Sequence, residues 1–361
     1  MEGYMSVHVL FRDLSDYLAR ETGAVDWLEG LMQQAILQRA SDIHLEPLGE
    51  SWRVRFRIDG LLNTLGMVPD EFAAKLVIRL KIMSRLDIAE RRLPQDGRFS
   101  FEDSSGVHRD CRVAICPTLH GEKLVLRLLI ADPIHLDAKE LGFDQEQLEL
   151  FLHAIQKPQG LILVTGPTGS GKTVTLYSAL NLIDAEEKNI STVEDPIEIK
   201  ITGFNQVPIH PKIGLDFSTV LRAFLRQDPD VIMVGEIRDR ETAKIAVKAA
   251  QTGHLVFSTL HTNSAIESIT RLLNMGIPSY NIVHTINLII AQRLLRKLCL
   301  QCRVPASYPP EFLLQTGFLE KEHQDLTLYQ AKGCDACTKG YFRRQGVFEC
   351  LAFTPTIVHS I

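Results

Sequence analysis

Nowhere in the 361 residues is there an apolar run long enough to cross a bilayer. The start, Met1-Glu2 followed by an interrupted Val7–Phe11 stretch, lacks the charged and apolar regions of a signal peptide, so a cytosolic protein is expected. An excess of one charge is missing too. With 39 Lys and Arg against 44 Asp and Glu, the net charge of −5 argues against a surface built mainly to neutralise a nucleic-acid backbone, although a local basic channel stays open. There is no long internal repeat. The seven cysteines, in a long chain without a secretion signal, point to metal binding or packing rather than disulfides. The length exceeds what one core organises, and two or three domains are expected.

The first part of the chain changes period several times. Asp26–Ala40 carries Leu28, Leu31, Met32, Ala35 and Ile36 at helical spacing, with Asp26 placed as a cap. Trp52, Val54, Phe56 and Ile58 then alternate with arginines as one face of a strand that ends in a turn at Asp59-Gly60. A second helix fits Asp70–Leu86, and strands fit Arg98–Glu102, Val107–Ile115 and Lys123–Ile130. This is a small α+β domain. Asp132-Pro133 opens a linker, and from Leu141 helices alternate with the continuous apolar runs Leu161–Val164, Ile190–Val193, Val231–Val234 and Leu255–Thr259, the pattern of a buried parallel sheet. Each run ends near polar residues. Ligands of open parallel sheets sit beyond the carboxyl ends of the strands, so these clusters are expected to converge.

The first cluster is Gly166-Pro167-Thr168-Gly169-Ser170-Gly171-Lys172-Thr173, a complete phosphate-binding loop between a short apolar run and a helical segment. Its glycines let successive N–H groups line one concavity at a helix N-terminus, where a triphosphate fits. Lys172 is expected to reach the β- and γ-phosphates, and the Thr173 hydroxyl to hold Mg²⁺. Glu194 and Asp195 follow one apolar run and Glu236 another. Glu236 is read as the residue that polarises water, with Glu194 and Asp195 around the metal's ligands, or else as a capped turn before Pro196. His254 and His261 flank the Leu255 run and can sense the γ-phosphate or be ordinary polar residues. Arg222 and Arg226 share a helix face at i and i+4, and Arg112 and Arg127 lie on adjacent strands; surface solvation is the alternative for each. Cys299-x-x-Cys302 and Cys334-x-x-Cys337 can give four thiolates to one tetrahedral Zn²⁺, while Cys111, Cys116 and Cys350 read as packing.

With these segments in view the chain resembles the ATPases that drive type II secretion and type IV pilus assembly. The matching residues are Gly166–Thr173, Ser191–Glu198, Leu221–Asp239 and Thr252–Asn263, with Ala40–Pro47 and Leu93–Arg98 in the preceding domain. The resemblance implies an α/β fold with a RecA-like P-loop ATPase domain over residues 136–298. A smaller α+β domain over 25–135 would close on ATP, and a zinc module over 299–350 is typical of the assembly branch. It implies that Arg112, Arg127, Arg222 and Arg226 approach the phosphates, that Glu194 sits in an acidic box, that Glu236 is the catalytic glutamate, and that His254 and His261 form a histidine box. The family's homohexameric rings turn a membrane platform protein so that pilin or pseudopilin subunits are added. The partners implied are inner-membrane platform and docking proteins, with the motor cytoplasmic and peripheral to that membrane, and no nucleic acid. Two departures stand out: residues 1–24 are an unmatched lead where relatives carry a further domain, and 351–361, with Thr354-Pro355 as a helix start, read as a truncated helical region. A nucleic-acid translocase would need a basic, aromatic channel, and no such cluster is present. A nucleotide-gated scaffold would need Lys172 or Glu236 altered, and both are present.

Overall fold

The computed structural model describes residues 23–129, 137–317, 327–354 and 357. Most of the lead, the Asp132-Pro133 linker and the helix start at Pro355 lie outside them. The chain divides into two units, Met1–Asp132 with Leu298–Phe342, and Pro133–Lys297 with Arg343–Ile361.

The first unit contains helix α1 (Ala24–Leu37), strands β1 (Ala40–Pro47), β2 (Ser51–Ile58) and β3 (Leu61–Pro69), helix α2 (Asp70–Met83), and strands β4 (Gln95–Glu102), β5 (His108–Thr118) and β6 (Gly121–Leu129). The strands form one antiparallel sheet in the order β3-β2-β1-β6-β5-β4. The alternating apolar residues of β2, β5 and β6 meet Trp27, Leu28, Leu31, Leu76 and Leu80 of the two helices in one core. Asp26 lies inside the first turn of α1 and Gly23 is the N-cap, so Asp26 complements the helix dipole instead of capping it. The helix stops at Leu37, short of Ala40, because Arg39 turns left-handed (φ 56°) to start β1. Asp59 and Gly60 both have positive φ (48° and 88°), as a tight hairpin requires.

The second unit contains α3 (Gln145–Ile155), β7 (Gly160–Thr165), α4 (Lys172–Asn181), β8 (Ile190–Glu194), β9 (Asn205–Pro208), α5 (Phe217–Phe224), β10 (Val231–Val234), α6 (Arg240–Gln251), β11 (Leu255–Leu260), α7 (Ala265–Asn274), α8 (Ser279–Thr285) and β12 (Ile286–Leu298). With β15 (Tyr341–Ala352) these strands order as β15-β12-β7-β11-β10-β8-β9, parallel from β12 to β9. All four apolar runs are strands of this sheet. Successive residues face opposite sides: Ile162, Val164 and Phe257 pack on α3 and α4, while Leu161, Leu163 and Val256 pack on α5 to α8. Because β15 returns beside β12, the tetracysteine segment is inserted between two strands of the sheet, and residues 343–350 belong to the α/β unit rather than to the module that follows residue 298. The short ladder β13 (Val304–Ala306) with β14 (Leu328–Gln330) lies within that insertion.

Candidate nucleotide site and tetracysteine centre

The phosphate-binding loop leaves the end of β7 and runs into α4. Gly166, Gly169 and Gly171 all have positive φ (146°, 78° and 86°). At Gly166 a side chain is doubly excluded, since a Cβ there would meet the Gln292 carbonyl at 2.4 Å. Gly171 is the N-cap of α4 and offers no side-chain acceptor, so the first-turn N–H groups are left to an anion. The buried Ser170 hydroxyl has no hydrogen-bond partner among the described residues. Pro167, Thr168 and Gly169 form the exposed crest, and Thr173 is half-buried in the first turn of α4. The Lys172 ammonium donates to the carbonyls of Gly166 (2.9 Å) and Pro167 (3.0 Å). Burial lowers its pKa; the Glu236 and Glu198 carboxylates oppose this, and the Arg293 guanidinium adds to it. A buried cation of this kind, beside unpaired donors, fits a polyphosphate.

Glu236 follows β10 through Gly235 and is held at the same edge of the sheet. Its carboxylate accepts from Arg238 Nη2 (2.5 Å) and lies 3.2 Å from His261 Nε2. Glu194, at the end of β8, has a different character. Buried at 4% exposure, it accepts from Tyr177 Oη of α4 (2.5 Å), Thr192 Oγ1 (2.6 Å) and Gln206 Nε2 (3.3 Å). Burial nevertheless raises its pKa. Its oxygens are occupied by the protein, and it ties the phosphate-loop helix to β8. Asp195 is exposed, where its charge acts on Arg238.

The structure thus brings Lys172, Glu236 and His261 to the loop's edge of the sheet. His254 is not with them. It precedes β11, its carbonyl accepts from Gly160 N (3.1 Å) at the start of β7, and its Nδ1 lies 2.9 Å from the Ala249 carbonyl. That is the opposite edge of the sheet, because the loop follows the far end of β7. Arg222 and Arg226 are engaged elsewhere rather than with these three residues. α5 packs on the face away from α4 and ends at Phe224, so Arg226 lies beyond the helix rather than on its face. Arg222 Nη2 pairs with Glu241 (2.5 Å), and Arg226 Nη1 donates to the Arg222 carbonyl (2.7 Å). In the first unit Arg112 and Arg127 stand opposite each other on β5 and β6, and Arg127 Nε donates to buried Asp42 at 2.9 Å.

Several contributors were missed by sequence reasoning. Tyr177 reads as an ordinary helix residue, Arg238 gave only the weak signal of lying two residues after Glu236, and Gln292 needed the strand order. Gln292 accepts from Thr175 Oγ1 (2.8 Å) and lies against Gly166 and Gly171. Buried hydroxyls of Thr165, Thr262 and Ser268 join β7 to the loop that carries His261.

In the insertion, Cys302 N and Cys337 N donate to the carbonyls of Cys299 (3.3 Å) and Cys334 (3.2 Å), closing each pair into a turn. The four Sγ atoms lie within 4.8 Å of one another, at 3.9 Å (299–334), 3.7 Å (302–337) and 3.7 Å (334–337). Four sulfurs about 2.3 Å from a tetrahedral Zn²⁺ lie about 3.8 Å apart. The donor set and spacing therefore fit zinc. Cys111 and Cys350 are packed, and burial pushes both thiols up to about 12. Cys116 is exposed on the hairpin side of β5 and is not a packing residue.

Among the described residues no helix is long and apolar enough to cross a membrane. The chain is similar to the Type IV pilus assembly ATPase PilB of Pseudomonas aeruginosa, 52% identical over 343 residues that make up 95% of this chain and 61% of that protein. It is similar to the Type II secretion system ATPase E of Vibrio cholerae, 45% identical over 339 residues, 93% of this chain and 67% of that protein. The solved structure of the pilus retraction motor PilT with bound ADP matches with a TM-score of 0.59 at 31% identity, over 92% of this chain and 84% of that one. The chain spans about three fifths of the length of the pilus assembly relatives it matches. Residues 20–361 match the Type II/IV secretion system protein family, and the chain belongs to that family.

Proposed function

We propose that this chain is the ATP-hydrolysing core of a motor that powers assembly of a type IV pilus or a type II secretion pseudopilus. The carrying observation is the juxtaposition of Glu236, braced by Arg238 and His261, with the phosphate loop and Lys172. Lys172 exchanges its loop carbonyls for phosphate oxygens when a nucleotide enters, which restores the partners that burial denies it. Glu236 takes the proton of the attacking water, while Arg238 and His261 fix the orientation of its carboxylate. Thr173 would hold Mg²⁺, whose chemistry there is to neutralise charge on the β- and γ-phosphates. Glu194 acts through Tyr177 on the seat of α4, a positioning role. Arg112 and Arg127 supply further cations when the smaller unit closes, and zinc on Cys299, Cys302, Cys334 and Cys337 is structural, because four thiolates leave no open coordination position.

The relatives are named as a pilus assembly ATPase and a secretion system ATPase, which supports a motor of a pilus or secretion machine. A hexameric ring on the cytoplasmic side of an inner membrane, coupled to platform and docking proteins, is what the family resemblance implies for it. Paired variants test the enzymatic core. Lys172→Ala should lose ATP binding, whereas Glu236→Gln should keep it and lose turnover by about 10²–10⁴-fold, the contribution of a positioned general base. Parent-level hydrolysis by Glu236→Gln would remove Glu236 from this role.

A further inference from the structure

We propose that Arg293 is a second phosphate-contacting cation of this site, supplied by the same chain and serving the terminal phosphate of a nucleoside triphosphate. The inference rests on the nucleotide reading above and adds a residue to it. Strand β12 runs parallel to β7 with Ala291 in register with Thr165. Two residues further along, Arg293 therefore passes beside the start of the phosphate loop. Its neighbour Gln292 is committed to the loop's packing, through Thr175 and the close approach to Gly166.

The guanidinium of Arg293 is only half used. Its Nη2 donates to the carbonyl and to Oδ1 of Asn263, at 3.2 Å and 3.0 Å. Its Nη1 is buried and has no acceptor among the described residues. A guanidinium is always charged and presents its donors in a fixed fork, so holding one edge on Asn263 fixes where the other edge points. A buried cationic donor without an acceptor is costly unless an anion completes it. Lys172 argues the same way, because the charge of Arg293 opposes its charged form. Two cations held close, one with an unsatisfied donor, gain stability from a shared anion.

Asn263 indicates which part of that anion is read. It lies two residues after His261, which braces Glu236, so the tether of Arg293 belongs to the loop where water is activated. A nucleoside diphosphate keeps the loop and Lys172 contacts but presents no terminal phosphate to this loop.

Equilibrium binding of a non-hydrolysable ATP analogue and of ADP to wild type, Arg293→Gln and Arg293→Lys tests the assignment. Arg293→Gln should weaken the ATP analogue by about tenfold or more, the loss of one charge-assisted hydrogen bond, and ADP by much less. Arg293→Lys should fall between, since it keeps the charge and loses the fork. The melting temperature without nucleotide separates this from a structural role: Arg293→Gln should melt close to wild type, because the exposed bonds lost to Asn263 are offset by removing a charge that opposes that of Lys172. Equal weakening of both nucleotides, unchanged analogue binding, or a lowered melting temperature without nucleotide each overturns the assignment while the nucleotide reading stands. Failure of wild type to bind either nucleotide overturns both.

Discussion

Replacing Tyr177 by Phe removes one oxygen from the interior of the second unit and nothing else. Tyr177 is fully buried, so Phe fits the same space, and the loss is the 2.5 Å bond to Glu194 together with the acceptor used by Gln206 Nε2 (3.1 Å). Gln206 keeps the Ile199 carbonyl at 2.8 Å, so the uncompensated member is the Glu194 carboxylate. A hydrogen bond to a charged, buried group contributes about 1.5–3 kcal/mol net. For a urea m value of about 3 kcal/mol/M this lowers the unfolding midpoint by about 0.5–1 M. The loss should depend on pH in a definite direction. Burial raises the pKa of Glu194, so the fold binds that proton more tightly than the unfolded chain does. The group's contribution is fully present below the ordinary carboxylate range and declines as the pH climbs through the raised value. Tyr177 opposes the rise, so its removal raises the value further and extends the decline upward. The difference between variant and wild type should be small in acid, grow through the raised value and then level off. Both tryptophans, Trp27 and Trp52, lie in the first unit, so their fluorescence should be unmoved while far-UV circular dichroism reports the shift. A midpoint difference that does not grow as the pH rises, or that is as large in acid as in base, would refute the reasoning.

Arg127→Ala should lower the maximal ATPase rate more than nucleotide affinity, because a cation delivered by closure acts mainly on the transition state; weakened binding with an unchanged rate would exclude it. Protein prepared without chelator should carry one zinc per chain by metal analysis, and Cys334→Ser should lose it and destabilise the insertion. Well-folded wild type without zinc would remove that site. In Glu236→Gln, the loss of a carboxylate that is 13% exposed and paired with an exposed Arg238 should change the melting temperature little, so that the fall in turnover, measured by phosphate release, is not a folding effect.

Where the sequence carried strong local signals, fold and site were both legible. The runs ending at Val164, Val193, Val234 and Thr259 were strands because a parallel sheet buried on both faces writes itself as unbroken apolar residues. The Gly166–Thr173 loop was legible for a similar reason, since its glycines are demanded by backbone geometry. Strands β1 and β3 were missed. In β1 the buried polar residues Asp42, His44 and Glu46 interleave with Ile43 and Leu45, and β3 is an edge strand without clean alternation. The placement of His254 was within reach of the sequence, since it precedes its strand and the ligand edge of a parallel sheet lies beyond the strands' carboxyl ends; grouping it with His261 overrode that rule. Arg222 and Arg226 failed for a different reason: their spacing presumed a helix that ends two residues too early. Gln292 and Arg293 matter only because β12 lies next to β7, a long-range pairing that no local pattern records.

The insertion of the cysteine segment has a consequence of its own. It departs from the end of β12 and returns at the start of β15, and its two ends are so close that Cys299 N donates to the Gly340 carbonyl at 2.9 Å. Strands β12 and β15 are already neighbours without it. A short hairpin turn in its place would therefore preserve the register of both strands. A single genetic insertion or deletion at this point can add or remove the tetracysteine segment while leaving the strand order of the sheet intact.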